Sequence, residues 1–242
     1  MSGHSKWKNI MHKKEKTDAQ RAKLFTKIGK EIAIAVKAGG PDPVANSKLK
    51  DLIAKAKASN VPNDNIDRII KKASSDDAEA YETIIYEGYG PCGVAVIVET
   101  ATDNRNRTAS DMRHYFDKFG GNLGTTGCVS FMFEDKGVIL ISAEDLEEDK
   151  VMEDALEAGA EDISLEGEYF EVTCDVGDLY IVKDALEQAG YKIESAEEDK
   201  IPQSYVEITN EDDITKMTRL LDMLDDNEDV QNVYHNWENE ER

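Results

Sequence analysis

GVILISAEDLEEDKVMEDALEAGAEDISLEGEYFEVTCDVGDLYIVKDALEQAGYKIESAEEDK, residues 137–200, sets out the order of elements that decides the fold. Val138–Ile141 is a short apolar run of strand length, and Val151, Met152, Ala155 and Leu156 then recur at helical spacing. Asp162–Leu165 and Tyr169–Cys174 flank Gly167, the pattern of a hairpin. Leu179, Val182, Leu186 and Ala189 mark a second helix, stopped by Gly190, and Lys192–Ser195 starts a last strand. The order β-α-β-β-α-β is the ferredoxin-like plan.

The same order emerges from the segments on either side. Thr83–Tyr86 and Val94–Glu99 have strand character and are joined by the turn-rich Gly88-Tyr89-Gly90-Pro91. A helix from Arg105 to Phe119 turns Thr108, Met112, Tyr115, Phe116 and Phe119 inward, and Cys128–Phe133 follows as a strand. Beyond the acidic stretch come a strand at Tyr205–Thr209, a helix with Ile214, Met217, Leu220, Leu221 and Leu224, and a strand at Val230–His235. Taken together, Val94–Glu99, the helix, Cys128–Phe133, Tyr205–Thr209, the second helix and Val230–His235 spell β-α-β-β-α-β again. One ferredoxin-like domain inserted into the central hairpin of another is the expected nesting.

The N-terminal third has helical period only. Leu24, Ile28, Ile32 and Val36 recur every four residues until Gly39-Gly40-Pro41. A second helix starts near Ala45 or Asn46 and carries Leu49, Leu52, Ile53 and Ala56, with Asn60 as its stop. Asn63 is placed to cap a third, with Ile66, Ile69, Ile70 and Ala73. Residues 1–20 hold few apolar side chains beyond Trp7, Ile10 and Met11 and form a basic arm; Ser74–Asp77 is a linker. The expected class is α+β: a three-helix bundle over 1–75, an α/β domain from 76–136 with 201–242, and an inserted acidic domain over 137–200.

Charge follows these boundaries. The 242 residues carry a net −22, yet residues 1–75 hold 17 Lys and Arg against 7 Asp and Glu. Residues 137–200 hold 4 against 21. Such opposition points to parts with different partners, and any phosphate contact belongs at the N-terminal end, because the rest repels it. Lys6, Lys8, Lys13, Lys14, Lys16, Arg21, Lys23, Lys27 and Lys30 line the arm and first helix, with Lys23, Lys27 and Lys30 on one helix face. A stripe of this kind neutralises phosphates without reading sequence, and Trp7 among the lysines is placed to stack on a base. A solvated helix face is the alternative. Arg105 and Arg107 open a helix whose N-terminus favours anions, so they fit either a phosphate contact or a salt bridge to nearby acids.

Other chemistry finds little support. Cys92, Cys128 and Cys174 are scattered, without a C-x-x-C pair, which suits a reducing cytosol and neither a disulfide framework nor zinc. His4 and His12 lack metal-ligand spacing. Gly120–Gly127 is glycine-rich but lacks the Lys-Ser/Thr ending of a nucleotide-binding loop and precedes a strand, so it is a recognition loop or a plain connection. No carboxylate pair is backed by a nucleophile or histidine. The longest strongly apolar run, Val94–Val98, is far short of a membrane span, and no secretory signal is recognisable. A cytoplasmic, non-enzymatic protein with no metal, cofactor or membrane partner is expected.

Met1-Ser2-Gly3-His4-Ser5-Lys6-Trp7-Lys8-Asn9-Ile10 closely resembles the opening of the YebC family. Leu24–Lys27, Tyr86–Pro91, Asp103–Thr108, Gly120–Gly124 and Val233–Asn236 resemble it too, so the likeness runs along nearly the whole chain. The resemblance implies a helical N-terminal domain and two α/β domains, with no catalytic residues. It further implies a DNA-binding transcriptional regulator, or a translation factor on ribosomal RNA and mRNA like the mitochondrial relatives that activate synthesis of a cytochrome oxidase subunit. By this resemblance the binding residues are the lysines of the arm and first helix, joined by Arg105 and Arg107. The acidic domains are free to meet the ribosome or other basic proteins.

Overall fold

The structure, a computed structural model, describes residues 18–75 and 80–238, with side chains from residue 22 onward. Three helices come first: α1 (Asp18–Gly39), α2 (Ser47–Ala58) and α3 (Asn63–Ala73). The four-residue apolar spacing of α1 buries Ile28, Ile32 and Val36 against Leu49, Leu52 and Ala56 of α2 and Ile66 of α3. Gly40 ends the first turn at φ 84 and Asn60 the second at φ 60, both in the left-handed region that halts a helix. Asn46 caps α2: its side chain accepts from Leu49 N at 3.1 Å and donates to the carbonyls of Ala35 and Gly40, each at 2.9 Å. The cap expected at Asn63 is displaced. Pro62 holds the N-cap position and Asn63 is already helical, because the proline carbonyl takes the amides of Asn65 and Ile66.

The remaining elements are β1 (Glu82–Tyr89), β2 (Ala95–Thr102), α4 (Arg105–Lys118), β3 (Asn122–Leu123), β4 (Phe133–Ser142), α5 (Glu148–Ala158), β5 (Asp162–Glu166), β6 (Tyr169–Cys174), α6 (Leu179–Gln188), β7 (Ile193–Pro202), α7 (Glu211–Asp226) and β8 (Val230–His235). They make two four-stranded sheets, β3-β1-β2-β8 and β5-β6-β4-β7. The described residues divide into two compact units. One runs through Val129 and takes in Thr209–Tyr234; the other holds Ser130–Ile208 and the stretch from His235.

In the second unit, β4 pairs antiparallel with both β6 and β7, and β5 with β6 through the Gly167 turn. The first strand thus lies between third and fourth with the second at the edge, the ferredoxin-like order. Helices α5 and α6 bury Val151, Ala155, Leu179, Val182 and Leu186 on Ile139, Ile141, Phe170 and Val172.

The sheet of the other unit has the same layout reached by a different route. The strand expected over Cys128–Phe133 is absent up to Met132: Ser130–Met132 is a 3₁₀ turn, Phe133 already opens β4, and the second strand is the two-residue β3. The physical cause is Glu87, buried on β1, whose carboxylate accepts the amides of Gly127 at 2.7 Å and Val129 at 2.9 Å, bonds a neighbouring strand would otherwise take. Tyr205–Thr209 is reduced to one parallel bridge, Val206 to Trp237. The place expected for it, beside β2, is filled by β1, which runs antiparallel to β2 over its full length. Among the described residues no helix is long and apolar enough to cross a membrane.

Candidate nucleic-acid interface

Lys6, Trp7, Lys8, Lys13, Lys14 and Lys16 lie outside the described residues, as do His4 and His12, and of Arg21 only the helical backbone is described. Lys23, Lys27 and Lys30 share one face of α1, and that face meets the C-terminal end of α7. Lys23 Nζ pairs with Asp226 Oδ1 at 2.6 Å. Lys27 Nζ donates to the Asp225 carbonyl at 2.8 Å. Lys30 Nζ bonds Asp229 Oδ1 at 2.7 Å and the Glu228 carbonyl at 3.0 Å, and lies 5.7 Å from the centre of the Tyr81 ring. The last turn of α7 holds no basic residue of its own. The α1 lysines therefore supply the cations that its carbonyls and dipole favour.

Asp229 is the hub of this contact. Its other oxygen accepts from Arg107 Nη2 at 2.8 Å, Thr108 Oγ1 at 2.8 Å and Thr102 Oγ1 at 3.1 Å. Burial alone would push its carboxyl up; the bonds from Lys30, Arg107 and Thr108 outweigh that and hold it down at about 2. Arg107 also pairs with Asp103 at 2.8 Å, and these bonds raise its pKa. Asn104 caps α4 by accepting from Arg107 N at 3.1 Å. Arg105 is exposed and 3.6 Å from Glu82. The cavity beside this network, about 410 Å³, is lined by Asp103, Asp111, Glu228 and Asp229 against only Lys30 and Arg107. An excess of carboxylates there disfavours a phosphate.

Exposed cations lie elsewhere on the bundle. Lys50, Ala54 and Lys57 form one exposed stripe of α2, opposite Leu49, Leu52 and Ala56. Lys48 and Lys71 are exposed as well, and none of these four lysines makes an ion pair among the described residues. The seven-residue interval of Lys50 and Lys57 spans about 10 Å along a helix. The alternation of lysine with the apolar positions of α2 was the available signal, but it is weaker than the dense run of the arm. No group of three or more His, Cys, Asp or Glu placed to hold a metal occurs among the described residues.

Family models match almost the whole chain. The model described as the TACO1/YebC protein N-terminal domain covers residues 5–76, and that of the TACO1/YebC second and third domain covers 81–237. A protein of Acetivibrio thermocellus named "Probable transcriptional regulatory protein" is 61% identical over 239 residues, covering 98% of this chain and 99% of its own. Proteins of the same name from Caldicellulosiruptor bescii (57% identical, 100% of both chains) and Finegoldia magna (55%, 99% and 100%) are similar throughout. The crystal structure of a conserved hypothetical protein from Aquifex aeolicus superposes with a TM-score of 0.85 at 46% identity, over 94% of each chain.

Proposed function

The chain belongs to the TACO1/YebC family, and from that premise we propose that it is a non-catalytic regulator of gene expression in the cytoplasm that binds nucleic acid, duplex DNA first, through residues 1–75. Its relatives' name supports the regulatory role. The observation that carries the nucleic-acid contact is the opposition of charge: +10 in residues 1–75 against −17 in 137–200, with Lys50 and Lys57 exposed on one face. In this proposal the arm lysines and the α2 stripe meet phosphate, 76–136 with 201–242 forms the supporting α/β domain, and 137–200 forms the inserted acidic domain, which meets basic protein surfaces. Contacts of this kind neutralise phosphate and carry affinity rather than sequence information.

Duplex-DNA binding measured by fluorescence anisotropy over a salt series tests the proposal. Replacing Lys50 and Lys57 with Glu is expected to weaken binding at least tenfold at low salt and to flatten the slope of log K against log salt by about 1.8, the share of two phosphates. Unchanged binding and slope refute the α2 stripe. Ribosomal RNA run as competitor decides the target: DNA held against an RNA excess supports DNA, whereas displacement by RNA at ~150 mM salt transfers the function to translation.

A further inference from the structure

The end of α7 has the chemistry of a short stretch of phosphate backbone. Within five positions it gathers four carboxylates, Asp225, Asp226, Glu228 and Asp229, and the carbonyls of Asp225 and Glu228 point at lysines. Three lysines of α1, at the spacing of four and three that would follow a polyanion, are each bonded to it. The contact is graded. At the inner end the side chains of Lys30 and Asp229 are 11% and 6% exposed, and Asp229 is further held by Arg107 and Thr108. At the outer end those of Lys23 and Asp226 are 35% and 69% exposed, where a pair is weak and readily screened.

We propose that the tip of α7 is a built-in phosphate mimic: it occupies Lys23 and Lys27 in the free protein and is displaced from them by a nucleic-acid backbone, while Lys30 and Asp229 keep the helices joined. The mimic rests on the nucleic-acid function proposed above and regulates the same segment. It sets a threshold: a polyanion gains these two lysines only by outcompeting the Asp226 carboxylate and the Asp225 carbonyl already in place. Binding through Lys50 and Lys57 of α2 precedes engagement of α1, because those two lysines are exposed and make no ion pair among the described residues.

The test uses the full chain and a labelled DNA duplex of about two turns, with anisotropy read over a salt series. Asp225→Asn with Asp226→Asn removes the mimic's charge at exposed positions and keeps side-chain size. Glu211→Gln with Asp212→Asn, also exposed, removes the same charge from the opposite end of α7. The mimic variant is expected to bind roughly tenfold tighter at low salt, with a slope steeper by about 1.8 as two more phosphates engage. The control pair leaves the slope unchanged. Adding Lys23→Ala and Lys27→Ala to the mimic variant abolishes the gain. Equal effects of the two charge removals, or a gain that survives loss of the lysines, overturns the mimic while wild-type binding leaves the nucleic-acid function standing. Failure of every form to bind overturns both.

Discussion

Asp229 shows how one side chain converts a charge pattern into structure. A carboxylate 4% exposed is tolerable only because it accepts from two cations and two hydroxyls at once. Removing it strands Lys30 and Arg107, so Asp229→Ala is expected to destabilise the protein by about 3–5 kcal/mol in urea denaturation. The pH dependence follows from the depressed carboxyl. A carboxyl at about 2 in the folded state, against ~3.9 unfolded, contributes stability that is complete above ~pH 4 and is lost as pH falls through about 2. Asp229→Asn is expected to lose that acid-range dependence, as measured by stability at stepped pH between ~5 and ~2. Arg107 illustrates the same economy. Its position in the first turn of α4 opposes the helix dipole, and its bonds to Asp103 and Asp229 offset that cost.

At the scale of elements, the loop after β3 is governed by Glu87 rather than by its own glycines. Two loop amides end on one buried carboxylate, and Gly124 N donates to the Glu87 carbonyl at 2.8 Å. Glu87→Ala is expected to cost about 2 kcal/mol, since it leaves the buried Val129 amide without an acceptor and frees the more exposed Gly127 amide. Hydrogen exchange should localise the change, with protection lost first at Gly127 and Val129. A loop whose protection is untouched would mean the carboxylate is not what holds it. Helix α5 shows a limit of periodicity. Its apolar set includes Met152 and Leu156, yet only Val151 and Ala155 are buried, while Met152 and Leu156 are 38% and 52% exposed. Spacing marks a helix and one flank of it, but the width of the buried stripe is set by what lies beneath.

For the whole molecule, net charge and local charge pull in opposite directions. A chain at −22 repels itself, so added salt from ~0.01 to ~0.15 M is expected to raise its melting temperature by screening. The same salt weakens nucleic-acid binding, which depends on counterion release. Both responses are read from one buffer series by calorimetry and anisotropy. A melting temperature that falls with salt would show that attractive pairs outweigh the global repulsion.

Much of this was determined locally. The three helices, their stops at Gly40 and Asn60, the Asn46 and Asn104 caps and the β-α-β-β-α-β order of 137–200 follow from residue spacing and the φ preferences of a few residues, which need no partner from afar. So does the concentration of positive charge before residue 76. Tertiary structure decided three things. It filled the place beside β2 with β1 rather than with Tyr205–Thr209, since strand order is a choice among partners that no single strand encodes. It turned Cys128–Met132 into a turn, because a carboxylate forty residues earlier claimed its amides. It also set Lys23, Lys27 and Lys30 against α7 and left Lys50 and Lys57 open to solvent, although all five share one chemistry in the sequence. A lysine's use depends on which carboxylate and carbonyl oxygens the fold brings within about 3 Å of it, and here they come from some two hundred residues away.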